Sequence, residues 1–500
     1  MSQIRDTTTT HDSPLKFLKP CTTPEKSGEL ISFFMKGALS ISLLVSIYFV
    51  FFSNFSGQSR WLIRYCPSCE NFSAVHHRSI DRLEKTNISH ILFGIGGSVK
   101  TWKDRRHYSE LWWKPNTTRG YVWLDEKPNE NEPWLVNSPP YRVSEDTSKF
   151  KYTNWYGSRS AIRIARIVLE SFRLGNDNVR WLVLGDDDTV FFPENLIDVL
   201  SRYDHNQMYY IGGNSESVEQ DVIHSYGMAF GGGGMALSYP LVVQLVKLLD
   251  GCIDRYHYLY GSDERICACV AEIGVSITKE LGFHQFDIRD DPYGLLAAHP
   301  VAPLVSLHHL DYVKPLFPEK DQLDSLRSLM GVYKMDPVRT LQHSFCYDLK
   351  QNWSVSISWG YTVQIYPTLL TAKQLETPLQ TFRTWKSWSN GPFTFNTRLP
   401  NNEACERPVI FYLDRVDEVG RGKMFTSYKR ISSLGGDECG LATHATVLAL
   451  QTVEVSSSKM IGKDWKRVRR RQCCEIVKHE SSALQIMIRR CGSGETVTLP

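Results

Sequence analysis

Apolar and polar positions alternate along this chain in blocks of different period. From His90 the run HILFGI (90–95), then RGYVWL (119–124) and VRWLVLG (179–185), are short continuous apolar segments bounded by Gly or charged residues, the pattern of strands buried on both faces. Between the second and third, Ser158 to Leu174 places Ile162, Ala165, Val168, Leu169 and Phe172 on one helical face, with Gly175 as the stop. Pro193 opens a further helix in its first turn. Strands alternating with helices predict an α/β domain on a largely parallel sheet, assigned to residues 86–335. Beyond it, WSVSISWGYTVQIYP (353–367) alternates with period two, Trp353, Val355, Ile357, Trp359, Tyr361, Val363 and Ile365 falling on one face. With PVIFYLDRV and ALQIMIRRC it predicts a β-rich C-terminal module over 336–500, drawn as a small sandwich.

The first 85 residues read differently. Leu30 to Phe52 is an apolar run broken by one charge, Lys36, and about 20 such residues suffice to span a bilayer. Arg5, Lys16, Lys19 and Lys26 precede it, so positive-inside orientation predicts a cytoplasmic tail (1–29), an uncleaved signal anchor (30–53) and a stem (54–85) leading into a lumen. The sequons at Asn54, Asn71, Asn87, Asn116 and Asn352 all fall on that luminal side.

Composition then narrows the classes. Lys+Arg 57 against Asp+Glu 54 leaves a net charge of +3, which gives no reason to expect a nucleic-acid partner. Of the twelve cysteines, Cys21 falls in the cytoplasmic tail; in an oxidising lumen the other eleven read as disulfides with at least one unpaired or joined to another chain, and Cys66 and Cys69 (CPSC) are open to a redox or zinc reading as well. The basic cluster KDWKRVRRR (463–471) reads either as a solvated edge or as a patch meeting acidic glycans or headgroups.

The chemistry concentrates in WLVLGDDDTVFF. A buried strand ends at Gly185 and presents Asp186, Asp187 and Asp188 at its carboxyl end, where ligands of open α/β sheets bind. Three adjacent carboxylates repel one another; a hard divalent cation, Mn²⁺ or Mg²⁺, relieves that and in turn holds a diphosphate. The same Asp186-x-Asp188 spacing also fits the nucleophile loop of dehalogenase-type phosphatases. Gly231 to Gly234 (FGGGGMALS) permit close approach of main chain, either to a sugar or nucleotide or simply within a tight turn. Asp263 and Glu264 open a helix, where each is a candidate general base or a cap. His308, in VSLHHLD, is a candidate metal ligand.

In this order HILFGIGGS, LWWKP, RGYVWLD, YGSRSAIRIARIVLE, LGDDDTVFF, FGGGGMALS, GSDERICACV and VSLHHLD resemble the Fringe-like glycosyltransferases of family 31, most closely their plant Fringe-related branch. The resemblance covers residues 86–335. It implies a GT-A-like nucleotide-sugar-binding fold, type II Golgi membrane topology, a divalent metal, and inverting transfer of a hexosyl or N-acetylhexosaminyl group from a UDP-sugar to an acceptor glycan or glycoprotein, usually β1,3. Carried over, Asp188 and His308 become metal ligands with Asp186 beside them, and Asp186 and Asp187 meet the donor. Asp263 becomes the base with Glu264 as the alternative, because Ser262 stands where relatives commonly carry a second acid. Gly94, Gly96, Gly97, Arg105 and Arg106 fall where relatives meet the nucleotide, and Gly232, Gly233 and Gly234 near the sugar. The rival from another class is a luminal lectin-like protein using Trp353, Trp359, Trp385 and Trp388 as stacking faces.

Overall fold

The computed structural model describes residues 85–498 apart from 130, 132, 176, 421, 432–438, 440–441, 463–468 and 481. The expected tail, anchor and stem, the CPSC motif and most of the basic cluster lie outside the described residues. Among those described, no helix is long and apolar enough to cross a membrane.

Seven strands form one sheet: β1 (Ile91–Gly96), β2 (Arg119–Leu124), β3 (Tyr141–Val143), β4 (Trp181–Asp186), β6 (Tyr210–Gly212), β7 (Met235–Ser238) and β8 (Ile277–Lys279). Their order is β3-β2-β1-β4-β7-β6-β8, all neighbours parallel except where β7 meets β4 and β6. The continuous apolar runs follow from burial of both faces. Ile91, Phe93 and Ile95 pack into one core, while Leu92 packs into the other with the helices Ser160–Arg173, Tyr239–Arg255 and Ser262–Glu272. Gly175 closes the first of these helices at φ +63, a left-handed stop that costs glycine little.

Short strands lie outside that sheet. β5 (Val190–Phe191) pairs antiparallel with β11 (Ser306–Leu307), which runs parallel to β9 (Phe283–His284), and β10 (Ile288–Asp290) pairs with β15 (Phe382–Thr384) from far down the chain.

The C-terminal half is a closed eight-stranded barrel rather than a sandwich. β12 (His343–Asp348), β13 (Trp353–Ser358), β14 (Thr362–Tyr366), β16 (Val409–Glu418), β17 (Lys423–Arg430), β18 (Thr452–Ser458), β20 (Ala483–Arg489) and β19 (Cys473–His479) follow one another around it, and β12 and β19 pair to close the ring. Closure removes the sheet edges that a two-layer sandwich would leave. The alternating segment 353–367 is a hairpin, not one strand: it turns at Trp359-Gly360-Tyr361, with Gly360 at φ +78. Trp353, Val355, Ile357, Val363 and Ile365 fill the barrel, so the alternation was sound, but Tyr361 leaves it to join the core of the first half. Helix Gln322–Met335 bridges the two, giving Val332 to the barrel and Leu326, Leu329 and Tyr333 to the other core. Trp353 and Trp359 are fully buried, so neither offers a face to a sugar. Among the described residues four disulfides form, Cys252–Cys269, Cys346–Cys474, Cys405–Cys439 and Cys473–Cys491, leaving Cys267 as a thiol.

Candidate active site

The carboxyl ends of β1, β2 and β4 open onto a cleft of about 380 Å³ whose walls include Gly96, Gly97, Arg105, the three aspartates and His308. β4 stays apolar to Leu184. At Gly185 a side chain would meet the Phe191 ring at 2.8 Å, so the strand can end there only as glycine. A tight turn follows: Thr189 Oγ1 accepts the Asp186 N–H at 2.8 Å and donates to the Gly232 carbonyl at 2.7 Å. The turn swings Asp188 inward, and pairing of β11 with β5 brings His308 beside it. His308 Nε2 lies 3.0 Å from Asp188 Oδ1 and 3.9 Å from Asp186 Oδ2. Arg105 Nη1 sits 3.1 Å from Asp187 and 3.2 Å from Asp188, and Thr101 donates to Asp187 at 2.9 Å.

These neighbours set the charges. Burial raises Asp186 to about 7, against the pull of His308 and with the push of Asp188 and Asp187. Burial also works on Asp188, but His308 and Arg105 outweigh it and hold that carboxyl well below the usual range. Burial would keep His308 neutral, yet Asp188 pushes it up to about 9. One oxygen each from Asp186 and Asp188 and a nitrogen of His308 lie within 4.8 Å of one another. Two hard oxygens and an imidazole fit Mn²⁺ or Mg²⁺.

Asp263 stands against the glycine loop, its Oδ2 accepting the Gly231 N–H at 3.1 Å and its Oδ1 the Glu264 N–H at 2.9 Å. Its side chain is half-buried beside that loop and is not among the residues that line the cleft. Burial raises its carboxyl above the ordinary value, while the two amides oppose that rise. Glu264 is occupied otherwise: Oε1 meets His224 Nδ1 at 2.6 Å, and Oε2 accepts the amides of Tyr260 and Gly261 as a helix cap. The pair left open by the sequence therefore separates into one acid held against the glycine loop and one holding the helix.

Not every expected residue reaches the cleft. Gly94 is inside β1, where a Cβ would meet Ile167 at 2.7 Å, so it serves helix packing. Arg106 points along its own helix to Glu110 at 3.5 Å. Gly232, Gly233 and Gly234 are buried behind the site. A Cβ on Gly232 would lie 2.0 Å from His308 Cε1, and Gly233 donates to Gln285 at 2.6 Å. They support the histidine rather than line the cleft.

Several lining residues went unforeseen, Asp125 and Arg163 among them. Asp125, at the end of β2, accepts Ser98 Oγ at 2.8 Å and the Val99 N–H at 2.9 Å, anchoring the helix Val99–Glu110 that carries Arg105. Arg163 donates to the carbonyls of Trp123 and Gly97 at 2.8 and 2.7 Å, tying β2 to β1. The signals were an acid closing an apolar strand, as in LGD, and a cation on the inner arc of an apolar helix.

Residues 220–474, half of the chain, match the family described as "Protein of unknown function, DUF604". The chain belongs to the DUF604 family. Residues 146–288 of this DUF604 chain also match the Fringe-like family. A beta-1,3-glucosyltransferase of Mus musculus is 32% identical over 153 residues, covering 29% of this chain and 29% of the mouse protein. The DUF604 chain thus spans less than a third of that relative's length. The Fringe-like stretch holds the three aspartates, the glycine loop and Asp263; the DUF604 stretch adds His308 and crosses into the barrel. Together they support a Fringe-like chain of glycosyltransferase type.

Proposed function

We propose that the chain is an inverting, metal-dependent glycosyltransferase of the plant Fringe-related type. In this reading it moves a hexosyl-type sugar from a UDP-sugar to a hydroxyl of an acceptor glycan or glycoprotein in β1,3 linkage. The observation that carries this is the convergence of Asp186, Asp188 and His308 at the mouth of a cleft, with Asp263 bound to the glycine loop that packs against His308. Asp186, Asp188 and His308 would hold the cation, which when bound supplies neutralisation of charge developing on the diphosphate. Arg105 fixes the orientation of Asp187 and Asp188 from the side. Asp263 takes the acceptor proton as the acceptor oxygen bonds to the anomeric carbon. The bond from that carbon to the diphosphate oxygen breaks, and UDP leaves with the electron pair. Attack from the face opposite the leaving group inverts the centre.

The disulfides and the sequons suit an oxidising lumen, and the reading places the chain in the Golgi as a single-pass type II protein anchored by residues 30–53. The test is UDP release by the full-length protein with Mn²⁺ across a panel of UDP-sugars and acceptors. Asp263→Asn should keep UDP and Mn²⁺ binding yet lose transfer by at least about a hundredfold, and Asp188→Asn should lose Mn²⁺-dependent binding itself. Normal turnover by both variants would overturn the assignment.

A further inference from the structure

His308 is supported in a way its chemistry does not predict. Metal-ligating imidazoles almost always donate their second ring N–H to a carboxylate, carbonyl or water that fixes the ring. Here Nδ1 of His308 is buried and meets no hydrogen-bond partner among the described residues. Packing holds the ring instead. Gly232 main chain closes one side, and the His309 ring lies on it with centroids 3.9 Å apart and planes 30° from parallel.

His309 itself needs holding. It adopts φ +59, a left-handed conformation that a residue with a Cβ keeps only when its surroundings impose it. Its Nδ1 is 2.8 Å from Asp287 Oδ1, and Asp287 Oδ2 accepts the Ser215 hydroxyl at 2.7 Å. The indole of Trp385 stacks on the His309 ring, 4.6 Å between centroids and 5° from parallel.

Trp385 comes from the C-terminal half of the chain, outside the Fringe-like match and inside the DUF604 match. It follows β15, whose Thr384 pairs with Ile288 of β10. The Arg289 guanidinium lies over its indole at 4.1 Å, and Tyr312 meets it edge-on at 4.7 Å. The next residues are moored to the first half as well. Glu219 accepts the amides of Lys386 and Ser387 at 2.9 and 3.2 Å, and the Thr394 amide donates to the Glu216 carbonyl at 3.0 Å. Residues 384–394 thus form a strap crossing from the barrel's side onto the metal cleft.

We propose that Trp385 is a positioning residue of the metal site, clamping His309 so that His308 is locked with Nε2 toward Asp186 and Asp188. The strap replaces the missing hydrogen bond at Nδ1 with a stack of rings. This rests on reading His308 as a metal ligand. Without Trp385, the face of His309 loses its cover, and both rings gain freedom to leave the ligating orientation.

The test is calorimetric titration of Mn²⁺ into the full-length protein with saturating UDP, with thermal unfolding followed in parallel. Trp385→Ala should weaken Mn²⁺ by about tenfold or more, the range for loss of a group that orients a ligand. Trp385→Phe, which keeps a ring on His309, should stay within about threefold of the wild type. Glu219→Ala, which unmoors the strap far from any ligand, should weaken Mn²⁺ by about threefold or more, and it carries the test if Trp385→Ala fails to fold. Equal affinity in Trp385→Ala, or in Glu219→Ala where that variant stands in, overturns the clamp while leaving the metal site standing, as does Trp385→Phe behaving like Trp385→Ala. No Mn²⁺ binding by the wild-type protein overturns the metal assignment beneath it.

Discussion

At Gly232 a methyl group would stand 2.0 Å from His308 Cε1, far inside contact distance, so the ring must move to admit it. Gly232→Ala should therefore displace the imidazole and weaken Mn²⁺ binding by about tenfold or more while the sheet and barrel stay folded, because the change disturbs a ligand's orientation and removes no core side chain. Calorimetry against circular dichroism distinguishes the two effects; unaltered Mn²⁺ affinity would show that the loop does not set the ring. The same scale separates residues that look equivalent in sequence. Arg105 and Arg106 are adjacent, but a helix rotates each residue about 100° from the last, so one faces the aspartates and the other runs back to Glu110. Asp263 and Glu264 both open a helix. Their surroundings divide because His224 and the amides before the helix claim Glu264, whereas Asp263 accepts the Gly231 amide of the glycine loop.

The element carrying Asp263 is braced by a covalent tie. Cys252 near the end of helix Tyr239–Arg255 joins Cys269 in helix Ser262–Glu272 across 17 residues, and the loop between them leads directly to Asp263. Closing a loop of that size stabilises by about 3 kcal/mol through the unfolded chain. Replacing both cysteines by serine should lower the urea midpoint of the first half accordingly, read by tryptophan fluorescence, and cut transfer further than donor binding because the acid's backbone loosens. An unchanged midpoint would show that the helix pair is held by its apolar contacts alone. Periodicity announced this pair of helices only in part, since a helix-sized apolar arc and a cap are local features, while the bridge requires knowing that the two axes lie side by side. The hairpin at 353–366 teaches the same lesson: alternation identified the inward residues, but period two continues unbroken through a three-residue turn and hides it.

For the molecule as a whole, the expected topology puts every sequon in the lumen. Asn116 and Asn352 both occupy exposed left-handed turns, at φ +63 and +60, open to a transferase. Expressed through a eukaryotic secretory pathway, the full-length protein should lose mass on endoglycosidase treatment, and Asn116→Gln and Asn352→Gln should each remove one glycan step. An unshifted band would count against luminal residence. How the parts cooperate was less legible. The strand ends, the acid triplet, the glycine loop, the candidate base and His308 were all readable from the sequence. Each is a local pattern, a buried strand ending in polar chemistry or a backbone that must be bare, and local patterns are set by periodicity and side-chain type. The barrel's closure, the joining of two cores by helix Gln322–Met335, and the strap that lays Trp385 on His309 were not readable. They join residues separated by tens of positions or more, and no one-dimensional period encodes which face of a distant segment will meet which. The sequence alone therefore determined which residues could do the chemistry, and the tertiary structure decided which of them converge, because convergence depends on long-range packing that local preference does not specify.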